Sequence, residues 1–197
     1  EYLSDYNKLQ NVASRIVTSG TDMCTDKIGA YYGFDYLHQN SFHSSMKEPA
    51  KAKYNVSEKF KILNVTPQSP AEKSELKADD TLVSIDNWLV PLGQESAKKV
   101  KDKLALSGKT FSPVQIVVNR DSVEKTVSIT PVKACDFSVD LAPDDVKNAY
   151  ADGKNIVVYK GMMDFFKTDE EIALVVSHEL AHNSMKHMDA KQKNATV

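Results

Sequence analysis

His178-Glu179-Leu180-Ala181-His182 constrains this chain more than any other stretch. On an α-helix, residues four apart lie roughly 40° apart around the axis, so both imidazoles leave one face toward one point. Glu179 stands on the flank of that face, where a carboxylate reaches a metal-bound water rather than the metal itself. Two neutral nitrogens, an open coordination position and a base are the parts that metal-assisted hydrolysis needs. The competing reading is two histidines on a helix of a packed core.

The flanking sequence writes in the helix. Thr168-Asp169-Glu170-Glu171 is a capping box, in which the threonine hydroxyl takes an orphan N–H and Glu171 reaches back. Ile172, Ala173, Val175, Val176, Leu180 and Ala181 supply a broad apolar face, which predicts a buried central helix. The helix is expected to run to about Met188, with Lys186 and His187 near its negative end. His187 follows His182 by five positions, roughly 140° around the axis, and reads as a packing residue, not a ligand. Catalytic zinc takes three protein ligands plus water. After His187 the only carboxylate is Asp189, and Asp164, Asp169 and Glu170 upstream sit in no metal-ligand pattern. The chain therefore reads as a fragment, with its third ligand beyond Val197.

Asn148 to Gly153, then Ile156 to Tyr159 with Gly161-Met162, then Asp169 to Glu171 leading into His178, His182 and His187, resembles the HtpX-like and CAAX-prenyl-protease-type zinc metallopeptidases. These are gluzincins, whose third ligand is a glutamate on a later helix. The resemblance covers roughly residues 134 to 190. It implies bound Zn2+, with His178 and His182 as ligands and Glu179 as the base that activates water. It also implies that the strand Ile156, Val157, Val158, Tyr159 is an edge strand binding extended substrate.

The middle of the chain is a different unit. Strands are predicted at Lys59 to Val65, Thr81 to Ile85, Val114 to Val118 and Val123 to Ile129. A short helix starts at Ser69-Pro70, with serine as N-cap and proline in the first position. A longer helix, Gln94 to Leu106, turns Ala97, Val100 and Leu104 inward. Ser69-Pro70-Ala71, Leu76-Lys77 and Asp80 to Asn87 resemble a circularly permuted bacterial PDZ domain. Glu75 and Asp79 replace two glycines usual in that motif, at positions favouring φ > 0, so a different local loop is expected. The resemblance implies a possible peptide ligand, in a groove between Lys59–Val65 and the Gln94–Leu106 helix, with Tyr54-Asn55-Val56 near the carboxylate-binding loop. A structural insertion without a ligand is the alternative.

The rest of the chain completes the expected organisation. Tyr2 to Thr18 reads as a helix ended by Ser19-Gly20, and Tyr31 to Tyr36 as a strand. His38 and His43, in a polar segment, read as surface loop residues. The expected fold class is α+β: a gluzincin-type metallopeptidase domain lacking its C-terminal part, interrupted by a PDZ-like domain. Segment 1–51 is assigned to the N-terminal helix and strand of the peptidase, 52–133 to the insertion, and 134–197 to the peptidase core. If the module is an insertion, the chain leaves and returns at neighbouring points, bringing Cys24 and Cys135 together. A disulfide there implies an oxidising compartment such as a bacterial periplasm; two buried free thiols are the alternative. Charged residues make up 26% with a net charge of −2, which gives no basic excess for nucleic acid. No apolar run approaches the roughly 20 residues of a spanning helix. No signal peptide is visible, and Glu1 reads as a mature or trimmed end.

The functional expectation is a zinc-dependent endopeptidase acting on proteins or peptides in envelope protein quality control. The alternative is a peptide-binding or chaperone-like PDZ protein with a latent or inactive peptidase module.

Overall fold

A computed structural model describes residues 2–39, 57–93 and 95–185 of the chain. His43, Tyr54-Asn55-Val56, Gln94, His187 and Met188 lie outside the described residues. The chain divides into two compact units, one built from residues 1–29 and 133–197, the other from the continuous stretch 30–132.

The discontinuous unit begins with helix α1 (Tyr2–Ser19), which buries Leu9, Val12, Ala13 and Val17. Its three-stranded sheet runs in the order β10 (Ala149–Ala151), β11 (Asn155–Tyr159), β9 (Ser138–Ala142). The β10–β11 pair is an antiparallel hairpin, while β11 and β9 run parallel. Alternation along these strands sends Val139, Leu141, Ile156 and Val158 into the core. A short helix α4 (Lys160–Phe165) leads to α5 (Asp169–Ser184), which carries the histidine motif. Both halves of the expected capping box are present at Thr168 and Glu171.

The sequence predicts a buried central helix, but α5 is buried along one stripe only. Ile172, Val176, Leu180 and Asn183 form one buried stripe at helical spacing, whereas Leu174 is 72% exposed. Three fully buried aliphatic side chains, each contributing about 1.5–3 kcal/mol, hold the helix in place. Lys8 and Arg15 of α1 lie 3.7 and 3.5 Å from Asp169, where their charges also suit the acidic start of α5. These pairs are exposed, so they add little to stability.

Cys24 and Cys135, both in this unit, are joined in a disulfide with their Cα atoms 5.6 Å apart. The bridge spans 111 positions, a loop whose closure is worth about 5 kcal/mol in the chain-entropy model. If residues 30–132 stay folded while the rest unfolds, the flexible loop shortens to a few residues and the gain falls to about 3 kcal/mol. Replacing both cysteines with serine is therefore expected to cost 3 to 5 kcal/mol (about the two limits just given) in urea denaturation. Unchanged stability would remove the bridge from this account.

The continuous unit is a six-stranded sheet. Its order is β2 (Phe34–Leu37), β3 (Lys61–Val65), β4 (Thr81–Ile85), β6 (Val114–Arg120), β7 (Val123–Ile129), with β5 (Trp88–Leu89) paired to β4. Strands β1 (Ile28–Tyr31) and β8 (Val132–Cys135) form a separate two-stranded sheet. Helix α2 (Pro70–Lys73) starts as predicted, with the Ser69 hydroxyl accepting from the Glu72 N–H at 3.2 Å. Helix α3 (Ser96–Ser107) buries Val100 and Leu104 in the core, with Ala97 packed beside them.

Three expectations for this region need correction. The Tyr31–Tyr36 strand is broken at Gly33, whose φ of +87° and contact with Ser69 leave no room for a β-carbon. The piece after the break, β2, pairs antiparallel with β3, so it belongs to this sheet and not to a 1–51 peptidase segment. His38 is not on the surface. Phe34 and Tyr36 already face the core, and continued alternation places His38 inward, 0% exposed and stacked on Phe60 at 4.5 Å.

The loop expected to differ keeps its left-handed turns. Glu75 and Asp79 hold φ of 61° and 71° despite their β-carbons. An L-residue in that region is strained by roughly 1–2 kcal/mol. Glu75→Gly is therefore expected to stabilise this unit by about 0.5–1 kcal/mol, after the added freedom of the unfolded chain is subtracted. A loss of stability in thermal unfolding would contradict this.

Candidate metal centre

The side chains of His178 and His182 converge. Their Nε2 atoms lie 3.0 Å apart, and the rings meet edge to face with centroids 4.6 Å apart. The four-residue spacing puts both on one side of α5, and the buried stripe opposite fixes that side outward. Two nitrogens bound to one zinc at 2.0–2.1 Å in tetrahedral geometry are about 3.3 Å apart. The observed separation is within a few tenths of an ångström of that, which small ring rotations supply. The pair therefore fits as two ligands of one ion.

Glu179 follows His178 directly and is half-buried. Among the described residues no group of three or more His, Cys, Asp or Glu comes together as a metal site. Asp164 is engaged elsewhere, with Lys160 Nζ 2.7 Å away, and Asp169 stands at the far end of α5 beside Lys8 and Arg15. The described residues thus bring two imidazoles together, with a carboxylate next to His178 in sequence, and no third ligand is read from them.

The expected substrate strand does not have an open edge. Strand β11 pairs with β10 on one side and β9 on the other, so Ile156, Val157, Val158 and Tyr159 have no free ladder to offer. The hairpin register shows why sequence misleads here: a short β-branched run bounded by glycines marks an interior strand as readily as an edge. The margins of this sheet are β10 and β9, each with one paired strand among the described residues, and Tyr2 and Gln10 of α1 bond to the Leu141 and Val139 carbonyls of β9. Strand β10 packs near α5, and Ala149 and Ala151 share the face of the buried Ile156 and Val158. Tyr150 points the other way, toward the Tyr159 ring 6.0 Å off.

Asn183 is the residue sequence reading passed over. It is 2% exposed, at the end of the α5 buried stripe, one position after His182. Its signal was a carboxamide where the helical spacing calls for an aliphatic side chain.

The expected groove in the continuous unit also lacks an open strand. Strand β3 is interior, paired with β2 and β4, so it has no free edge for a ligand. Strand β2 is one margin of that sheet, β7 being the other end of the strand order, and its Tyr36 hydroxyl is pushed up to about 12 by burial and by Asp35 and Asp102.

Comparison with known proteins follows the same division. Residues 111–195 match Peptidase family M48, and residues 42–130 match the PDZ domain. The matches overlap at 111–130, which the structure places in β6 and β7 of the six-stranded sheet. No curated protein matches the chain. Among solved structures, the HtrA3 PDZ domain bound to a phage-derived ligand (FGRWV) is 18% identical with a TM-score of 0.40, over 54% of this chain and 89% of that one. The serine endoprotease from Yersinia pestis is 17% identical with a TM-score of 0.36, over 54% of this chain and 29% of that one. The HtrA-type protease AlgW with decapeptide is 18% identical with a TM-score of 0.38, over 54% and 30%. The chain spans less than a third of either whole protease. The part of the chain that carries the histidine pair is thus similar to M48 peptidases, and the six-stranded unit to PDZ domains.

Proposed function

We propose that this protein is a zinc-dependent endopeptidase of the HtpX-like and CAAX-prenyl-protease-related type, acting on proteins or peptides outside the cytoplasm, in cell-envelope protein quality control. The observation that carries the reading is the 3.0 Å approach of the His178 and His182 Nε2 atoms, with Glu179 next to His178 in sequence. The match of this region to Peptidase family M48 supports it. The Cys24–Cys135 bridge supports an oxidising compartment such as a periplasm.

His178 and His182 would hold the ion through Nε2. Bound zinc supplies Lewis acidity and lowers the pKa of water into the neutral range. Glu179 accepts a proton from the attacking water on its carboxylate and returns it to the leaving amine, the usual exchange of roles for a general base. Strand β10 offers its unpaired edge to an extended substrate, so that affinity comes from backbone hydrogen bonds and tolerates varied side chains. Small residues at Ala149 and Ala151 keep that margin low beside α5.

Cleavage of an internally quenched peptide library tests this. Activity is expected to vanish with a zinc chelator and return with added zinc. Hydrolysis that persists in the apo-protein would overturn the reading.

A second reading has its own observation. Strand β2 is a sheet margin with Phe34 and Tyr36 packed on the core beside it, which suits strand addition by a peptide in a PDZ-like unit. Peptide binding by the whole protein with no cleavage of any bound peptide would favour a binding or chaperone-like protein.

A further inference from the structure

We propose that Asn183 is a positioning residue, clamping the β10–β11 hairpin to the helix that carries His178 and His182. The inference rests on the peptidase reading above and assigns a role to a residue outside the motif.

Asn183 makes both of its bonds to the hairpin turn. Its Oδ1 accepts from the Gly153 N–H at 2.7 Å, and its Nδ2 donates to the Asn155 carbonyl at 3.1 Å. The turn itself is built to hold that shape. Asp152 Oδ1 accepts from the N–H groups of Lys154 and Asn155 at 2.8 and 2.6 Å, and Gly153 takes φ of +94°. Asn155 continues the chain of bonds, accepting from Ser138 Oγ of β9 at 2.6 Å. Lys27 Nζ donates to the Gly153 carbonyl at 2.5 Å.

The choice of asparagine is costly unless it does this. Its helix propensity is below that of leucine, and a buried carboxamide without partners is strongly disfavoured. Ile172, Val176 and Leu180 fill the other places of the same stripe, so an aliphatic residue would be the packing solution. Asn183 instead links His182, its neighbour in sequence, to the turn that joins β10 and β11. Backbone placement of β10 against the imidazoles is what fixes a scissile carbonyl laid along that strand. Misplacement by about 1 Å can cost on the order of a hundredfold in rate.

Asn183→Leu removes both bonds while keeping a buried side chain of similar size. Asn183→Asp keeps the acceptor for Gly153 and loses the donor to Asn155. Amide hydrogen exchange of the 149–158 region in the whole protein is expected to accelerate about tenfold or more in Asn183→Leu and also in Asn183→Asp, which sets an unpaired carboxylate against the Asn155 carbonyl. In the zinc-loaded protein, kcat is expected to fall roughly 10- to 100-fold with KM changed less than about threefold and bound zinc unchanged. Unchanged exchange in both variants would overturn the clamp. Faster exchange with unchanged kcat would overturn the positioning role. Should the wild type show no hydrolysis, the peptidase reading fails by itself, and the exchange measurement still decides the clamp.

Discussion

Glu179→Gln is expected to lower peptide hydrolysis by about a thousandfold while leaving bound zinc nearly unchanged. The amide is close in shape to the carboxylate but cannot accept a proton from water at neutral pH. His178 and His182 keep their 3.0 Å approach in that variant, because the buried stripe of Ile172, Val176 and Leu180 holds the helix independently of Glu179. The expected pattern is therefore a separation of binding from chemistry. Rates from single-turnover cleavage, set beside zinc content by elemental analysis, measure both halves. A Glu179→Gln protein as fast as the wild type would assign the base elsewhere.

A stability loss as large as that of the disulfide variant is expected in the other unit. Asp80 is 1% exposed and accepts from Arg120 Nε and Nη2, each at 2.6 Å, in a two-pronged pair. Arg120 Nη2 also donates to the Glu75 carbonyl at 2.9 Å, and the Lys77 N–H donates to Asp80 at 2.9 Å. Arg120→Ala strands a buried carboxylate and is expected to cost about 3–5 kcal/mol. Trp88, the one tryptophan of the chain, packs against the core of this unit, so its fluorescence in a urea titration reports the loss directly. Replacing Asp80 with asparagine and Arg120 with methionine together should recover much of that loss, because no isolated charge remains. A single-variant loss below about 1 kcal/mol would show that water reaches Asp80 freely.

Local signals in the sequence carried the elements they bear on. Thr168 and Glu171 form both halves of the predicted capping box, and Ser69-Pro70 starts a helix where the N-cap rule puts it. Strand Val123–Ile129 and strand Thr81–Ile85 match their predicted bounds. What periodicity could not convey was which strand sits at a margin. The Ile156–Tyr159 run is interior and Ala149–Ala151 is one of the two margins, because strand order depends on pairings between distant segments. The same limit misplaced β2, whose partner β3 lies beyond a long intervening segment. His38 was misread because polar neighbours outweighed its register with Phe34 and Tyr36. The His178–Glu179–His182 spacing was legible since helix geometry alone brings such residues together. Asn183 was not, since its partners Gly153 and Asn155 meet it only through tertiary packing.

Zinc stoichiometry in the protein purified from its native source bears most directly on whether this pair of imidazoles forms a metal centre. Wild-type protein is expected to carry about one zinc per chain, and a His178→Ala, His182→Ala double variant essentially none, with both chains equally folded. Equal zinc in the two proteins, or none in either after incubation with zinc, would contradict it.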